Sequence, residues 1–113
     1  LVGSEMCIRD SIWASWCIPC RAEHSFLMAL NEKNLNLLGI NYKDNISNAQ
    51  SFLNELGNPY SEILSDKNGV TSIELGAYGV PETFIVNKEK KIIEKIIGPI
   101  DNKKFNEILE LIK

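Results

Sequence analysis

Along the chain the apolar positions change period several times, and each change marks an element. Ser11 to Ser15 ends an extended run. From Cys17 to about Asn34 the residues Ala22, Phe26, Ala29 and Leu30 recur at helical spacing. Pro19 suits the first turn of that helix, where a missing backbone donor costs nothing. Leu35 to Tyr42 is a mostly apolar run of strand length, and Ser47 to Leu56 predicts a second helix stopped by Gly57. Such alternation predicts parallel strands joined by a crossover helix. Glu62 to Leu64 reads as a short strand, Asp66 to Gly69 as a turn, and Val70 to Leu75 as one or two helical turns before Gly76. Thr83 to Val86 and Lys91 to Ile97 predict an antiparallel hairpin across a polar Asn-Lys-Glu-Lys segment. Asp101 then caps a last amphipathic helix with Phe105, Ile108, Leu109 and Ile112 on one face. The sum is an α/β domain with a mixed central sheet flanked by helices.

The first eleven residues break the pattern. A central parallel strand is buried on both faces and should be apolar for five or six residues, yet Glu5, Arg9, Asp10 and Ser11 fall there. Residues 1–11 are therefore expected to be a foreign or misread extension, with the domain proper at 12–113 and native opening strand structure lost. On that reading Cys7 is accidental.

Composition narrows the function. With 113 residues there is room for a single core, and 44% hydrophobic with 24% charged residues is ordinary for a globular domain. A net charge of −3 without a basic stripe argues against a nucleic-acid partner. Neither an apolar run of membrane length nor a secretion signal stands in the sequence. Three cysteines cannot make a disulfide framework, so attention falls on the tight pair Cys17 and Cys20.

A Cys-x-x-Cys at the start of a helix has a mechanism behind it. Unpaired backbone donors there stabilise a thiolate and lower the pKa of the first cysteine, so Cys17 is the natural nucleophile. Cys20, one turn on, can resolve a mixed disulfide and close the local ring. An alternative of another class is a zinc module with Cys7, Cys17, Cys20 and His24 as ligands. It is the less favoured reading, because one ligand comes from the doubtful segment. An inert structural disulfide would stabilise little across so short a loop. His24 is expected at the surface or partly packed, since two helical turns separate it from Cys17.

Trp13 is expected to pack under the helix start, and Trp16 to form part of a docking surface beside the thiols. Arg21, Glu23 and Glu32 read as a solvated helix face. Asn41, Tyr42, Lys43 and Asp44 read as a plain polar turn, although loops after such strands tend to lie beside the site. Pro81 precedes a β-rich run and belongs at the first residue of a strand or on an edge.

Four stretches together resemble the DsbE/CcmG family of thiol-disulfide interchange proteins for cytochrome c maturation. They are Trp13-Ala-Ser-Trp-Cys-Ile-Pro-Cys-Arg-Ala-Glu-His24, Gly39-Ile-Asn-Tyr-Lys-Asp44, Glu55-Leu-Gly-Asn-Pro-Tyr60 and Leu75-Gly-Ala-Tyr-Gly-Val-Pro-Glu-Thr-Phe-Ile85. The resemblance implies a thioredoxin-like fold and an oxidoreductase without a bound cofactor. It also implies a monomer in the periplasm, tethered to the inner membrane by an N-terminal anchor. Its partners would be apocytochrome c and a membrane thiol-disulfide electron donor. The alternative within the fold is a general TlpA/ResA-like reductant with other substrates. By the same resemblance Pro81 would be a cis-proline facing the disulfide, the Val80 backbone would pair with substrate, and Glu82 would be an acidic group near the site or an exposed carboxylate. One departure is the hairpin turn Lys88-Glu-Lys-Lys91, where the family more often has a glycine.

Overall fold

The chain builds one five-stranded sheet, seen in a computed structural model that describes residues 6–33, 36–77, 79–87, 89 and 91–111, with residues 6–9 as backbone. In order the elements are β1 (Met6–Trp13), α1 (Ile18–Asn31), β2 (Leu37–Tyr42), α2 (Ile46–Leu56), β3 (Glu62–Asp66), α3 (Val70–Glu74), β4 (Glu82–Asn87), β5 (Ile92–Ile97) and α4 (Asn102–Leu111). The strands lie in the order β3-β2-β1-β4-β5. β1, β2 and β3 run parallel, while β4 is antiparallel to both β1 and β5. This is the mixed, thioredoxin-like sheet that the sequence predicts.

Local chemistry accounts for the boundaries. The Asn45 side chain caps α2 by accepting from Asn48 N at 3.1 Å, and Gly57 ends it at φ 98°, a left-handed value that favours glycine. The Asp101 carboxylate accepts from Lys104 N at 2.8 Å, the expected cap of α4. α1 is shorter than predicted and ends at Asn31. Asn34, Leu35, Ile112, and Lys88 and Lys90 of the hairpin turn lie outside the described residues.

Residues 6–11, set apart as an extension by their polarity, run inside β1 and pair with both neighbours. The ladders shift register between Ile8 and Asp10 on the β4 side, and between Ile8 and Ser11 on the β2 side. Backbone pairing is indifferent to side-chain polarity, so a polar segment can occupy a central position.

The core gathers Trp13, Leu27, Leu30, Leu37, Phe52, Ile85, Ile96 and Ile108 from strands and helices. α1 touches α2 through His24 and Phe52, and α4 through Phe26 and Phe105. Gly39 in β2 is required there: an added Cβ would lie 2.8 Å from the Tyr60 ring. The approach lets Tyr60 stack on Trp13 with ring centroids 5.7 Å apart.

Candidate active site

Where β1 hands over to α1, the chain turns tightly. Cys17 N donates to Ala14 O at 3.2 Å, and Cys17 takes the N-cap position with an extended backbone. Its Sγ accepts from Cys20 N at 3.2 Å, so the sulfur does the work that Ser or Asp does at other caps. Pro19 sits in the first turn, as its missing donor allows. Cys17 and Cys20 are joined as a disulfide with Cα atoms 5.3 Å apart. Both are largely buried, at 4% and 1% exposure. After reduction, the same N–H and the helix start would favour a thiolate on Cys17 over one on Cys20.

Trp13 is buried, 5.1 Å from the Phe52 ring and stacked on Tyr60. Trp16, one residue before Cys17, is 56% exposed. Its Nε1 donates to Lys43 O at 3.0 Å, and its ring lies 6.5 Å from that of Tyr42.

The segment read as a plain polar turn is instead a brace for the thiol loop. Asp44 accepts from Ser15 N at 2.6 Å, Ser15 Oγ at 2.8 Å, Asn41 Nδ2 at 3.0 Å and Asn45 N at 2.8 Å. Partial burial works against its ionisation, but these donors outweigh it and hold the carboxyl below the usual range. Polar residues at the carboxyl end of a strand beside a Cys-x-x-Cys loop were the available signal.

The Val80–Pro81 peptide bond is cis. The pairing of Ile12 with Glu82 and of Ser11 with Thr83 puts Pro81 beside Trp13, at the end of β1 that leads to Cys17. Pro81 O accepts from Gly98 N at 3.0 Å. Val80 packs against the core cluster that includes both cysteines. Glu82 is 1% exposed, which overturns its reading as an exposed carboxylate. Its Oε2 accepts from Gly79 N at 2.8 Å, and its Oε1 lies 3.7 Å from Lys95 Nζ. Glu82 thus pins the loop that carries Val80 and Pro81.

Glu23 is the residue that sequence reasoning missed. It is 0% exposed, not part of a solvated face, and its Oε1 accepts from Ile100 N at 3.1 Å. Burial pushes its carboxyl up to about 7, against the opposing pull of the Ile100 donor and the Lys104 charge. The buried stripe of α1 is Cys20, Glu23, His24, Leu27 and Leu30, rotated from the face that Ala22 and Phe26 suggested. Leu27 and Leu30 stand four and seven residues after Glu23, a spacing that could have revealed it.

His24 is buried too. Its Nε2 meets Gly57 O at 2.8 Å and its ring stands edge-on to Phe52 at 5.1 Å. Among the described residues the zinc set does not assemble. Cys17 and Cys20 are spent on each other, His24 is committed to Gly57, and the Cys7 side chain lies outside the described residues.

Comparison with known proteins gives one answer at several levels. The family model described as Redoxin matches residues 10–112. The thiol:disulfide interchange protein CycY of Rhizobium leguminosarum bv. viciae is 47% identical over 93 residues, covering 81% of this chain and 50% of that protein. DsbE of Pseudomonas aeruginosa, also a thiol:disulfide interchange protein, is 43% identical over 99 residues, covering 88% of this chain and 55% of its own. The chain thus spans about half the length of these curated relatives. Among solved structures, a secreted thiol-disulfide isomerase from Corynebacterium glutamicum superposes with a TM-score of 0.79 at 26% identity, covering 96% of this chain and 71% of that one. StoA from Bacillus subtilis gives 0.71 at 25% identity, covering 97% and 84%.

Proposed function

We propose, from the premise that this chain belongs to the Redoxin family and within it to the thiol:disulfide interchange proteins, that it is a periplasmic thiol-disulfide oxidoreductase. Its substrate is the disulfide between the haem-attachment cysteines of apocytochrome c, which it reduces. The observation that carries the reading is the Cys17–Cys20 disulfide at the start of α1, with Cys17 Sγ facing the Cys20 N–H.

In the reduced protein the Cys17 thiolate attacks one sulfur of the substrate disulfide. A mixed disulfide forms, and the other substrate sulfur leaves as a thiolate that takes up a proton. Cys20 then loses its proton and attacks Cys17 Sγ, which closes the Cys17–Cys20 bond and frees the second substrate thiol. Two electrons pass to the substrate. A membrane dithiol donor, itself oxidised to a disulfide, returns two electrons to the pair.

The neighbouring residues support each step. Exposed Trp16 offers an apolar surface beside the thiols, and the Val80 backbone offers strand-like pairing to an extended substrate. Pro81 and Glu82 shape that loop. Glu23, one helical turn after Cys20, holds a carboxyl poised near neutrality, where proton exchange with a resolving thiol is most effective.

The structural likeness to a secreted thiol-disulfide isomerase supports a second reading, thiol-disulfide exchange with other substrates of the general TlpA/ResA-like kind. Comparable turnover of many unrelated disulfides would select it. The first reading is tested by the reduction potential of the Cys17–Cys20 pair, read through tryptophan fluorescence. A value near the thioredoxin end, about −270 mV, fits a reductant, whereas one near about −120 mV reverses the direction of electron flow.

A further inference from the structure

Beneath α1 lies a group of buried polar atoms of which the proposed interchange chemistry uses only the Glu23 carboxyl. Ser11 and Thr83 are cross-strand partners on β1 and β4 and both are fully buried, so their side chains leave the sheet on the same face. Tyr60, in the loop between α2 and β3, lays its ring over Gly39, the ladder partner of Ser11, and stands edge-on to His24, the neighbour of Glu23 on α1, with ring centroids 6.4 Å apart. Ser11 Oγ, Thr83 Oγ1, Tyr60 Oη and Glu23 Oε2 are all sequestered from solvent, and none has a protein hydrogen-bond partner.

Buried hydroxyls and carboxyls are costly unless they are hydrogen-bonded, and here four of them, from β1, β4, α1 and the loop before β3, lack a protein partner. Where protein groups do not satisfy one another, ordered water making two to four hydrogen bonds does so. We propose that ordered water is held between Ser11, Tyr60, Thr83 and Glu23, and that it makes Tyr60 a positioning residue for the Glu23 carboxyl. Ile100 N serves Oε1. Water serves Oε2, donating to the carboxylate while it accepts from the Tyr60 hydroxyl. Ser11 and Thr83 complete its shell from the sheet.

The charged and titratable groups around Glu23 are Lys104 on α4, Tyr60 on the loop, and Cys20 and His24 on its own helix. Of these, Tyr60 is the one whose hydroxyl joins the unpartnered cluster. The inference rests on the proposed interchange function only for its use, since hydrated Glu23 would have a ready route for a proton leaving Cys20.

The test reads no thiol exchange, so failure of the interchange reading would show separately as lost turnover in the intact protein. In a crystal structure fine enough to show ordered water, a molecule is expected within hydrogen-bond distance of both Tyr60 Oη and Glu23 Oε2. In Tyr60→Phe, the Glu23 carboxyl followed by carbon NMR should titrate at higher pH than in the wild type. The folded-to-unfolded ratio should fall about fivefold, as for a hydroxyl that had been satisfied. Ser11→Ala, a second and smaller change, should move the Glu23 midpoint the same way. Absence of water at that place, or a Glu23 midpoint unmoved in both variants, overturns the proposal.

Discussion

Glu23 Oε1 and Ile100 N, 77 residues apart in the chain, meet at 3.1 Å and tie the first turns of α1 to the segment that leads into α4. The bond is made by a carboxyl that burial holds up to about 7, from an ordinary 4.5. Because the folded pKa is raised, the full stability is present below about pH 4 and is lost as pH rises through 7. That loss amounts to roughly 3 kcal/mol. In Glu23→Gln, which keeps the acceptor for Ile100, urea denaturation at pH 5 and pH 8 should show a much smaller fall than the wild type. Equal falls would contradict the burial of an ionising Glu23.

His24 should act with the opposite sign. Burial lowers its pKa below 6.5, against the Gly57 carbonyl that favours the charged ring. Its contribution is present above 6.5 and is lost as pH falls through the lowered value. In His24→Leu the acid-side loss of stability between pH 6.5 and 5 should shrink, as measured by denaturant midpoints at the two values.

Asp44 links the turn after β2 to the thiol loop. Asp44→Ala removes four hydrogen bonds to one carboxylate and should cost about 2 kcal/mol, while the Trp16 indole N–H exchanges faster with solvent. Unchanged exchange at Trp16 would show that the Lys43 carbonyl holds that ring without help from Asp44.

Gly39→Ala would press a methyl onto the Tyr60 ring, at 2.8 Å from its nearest atom. A destabilisation of about 1–3 kcal/mol is expected, with a changed near-ultraviolet circular dichroism signal from the Trp13 and Tyr60 stack. A neutral substitution would mean that the ring can shift freely.

Much of this architecture was legible in the residues. The period changes located the four helices and the strands β2 to β5, and the Cys-x-x-Cys at a helix start announced its own chemistry. The buried face of α1 was not legible, since Glu23 and His24 are polar and their partners, Ile100 and Gly57, are backbone groups distant in sequence. Asp44 was hidden for a related reason, because three of its four donors belong to Ser15 and Asn41, and only the folded chain brings Ser15 near. For β1, side-chain polarity argued against a central strand, while its ladders depend on backbone groups that no hydrophobic pattern reports.

The central claim is that Cys17 attacks and Cys20 resolves, and mass spectrometry of a trapped intermediate tests it most directly. Cys20→Ser, incubated with an oxidised Cys-x-x-Cys-His peptide, should accumulate a mixed disulfide at Cys17, and the further change Cys17→Ser should abolish it. A mixed disulfide that forms at another residue, or none at all, would contradict the account.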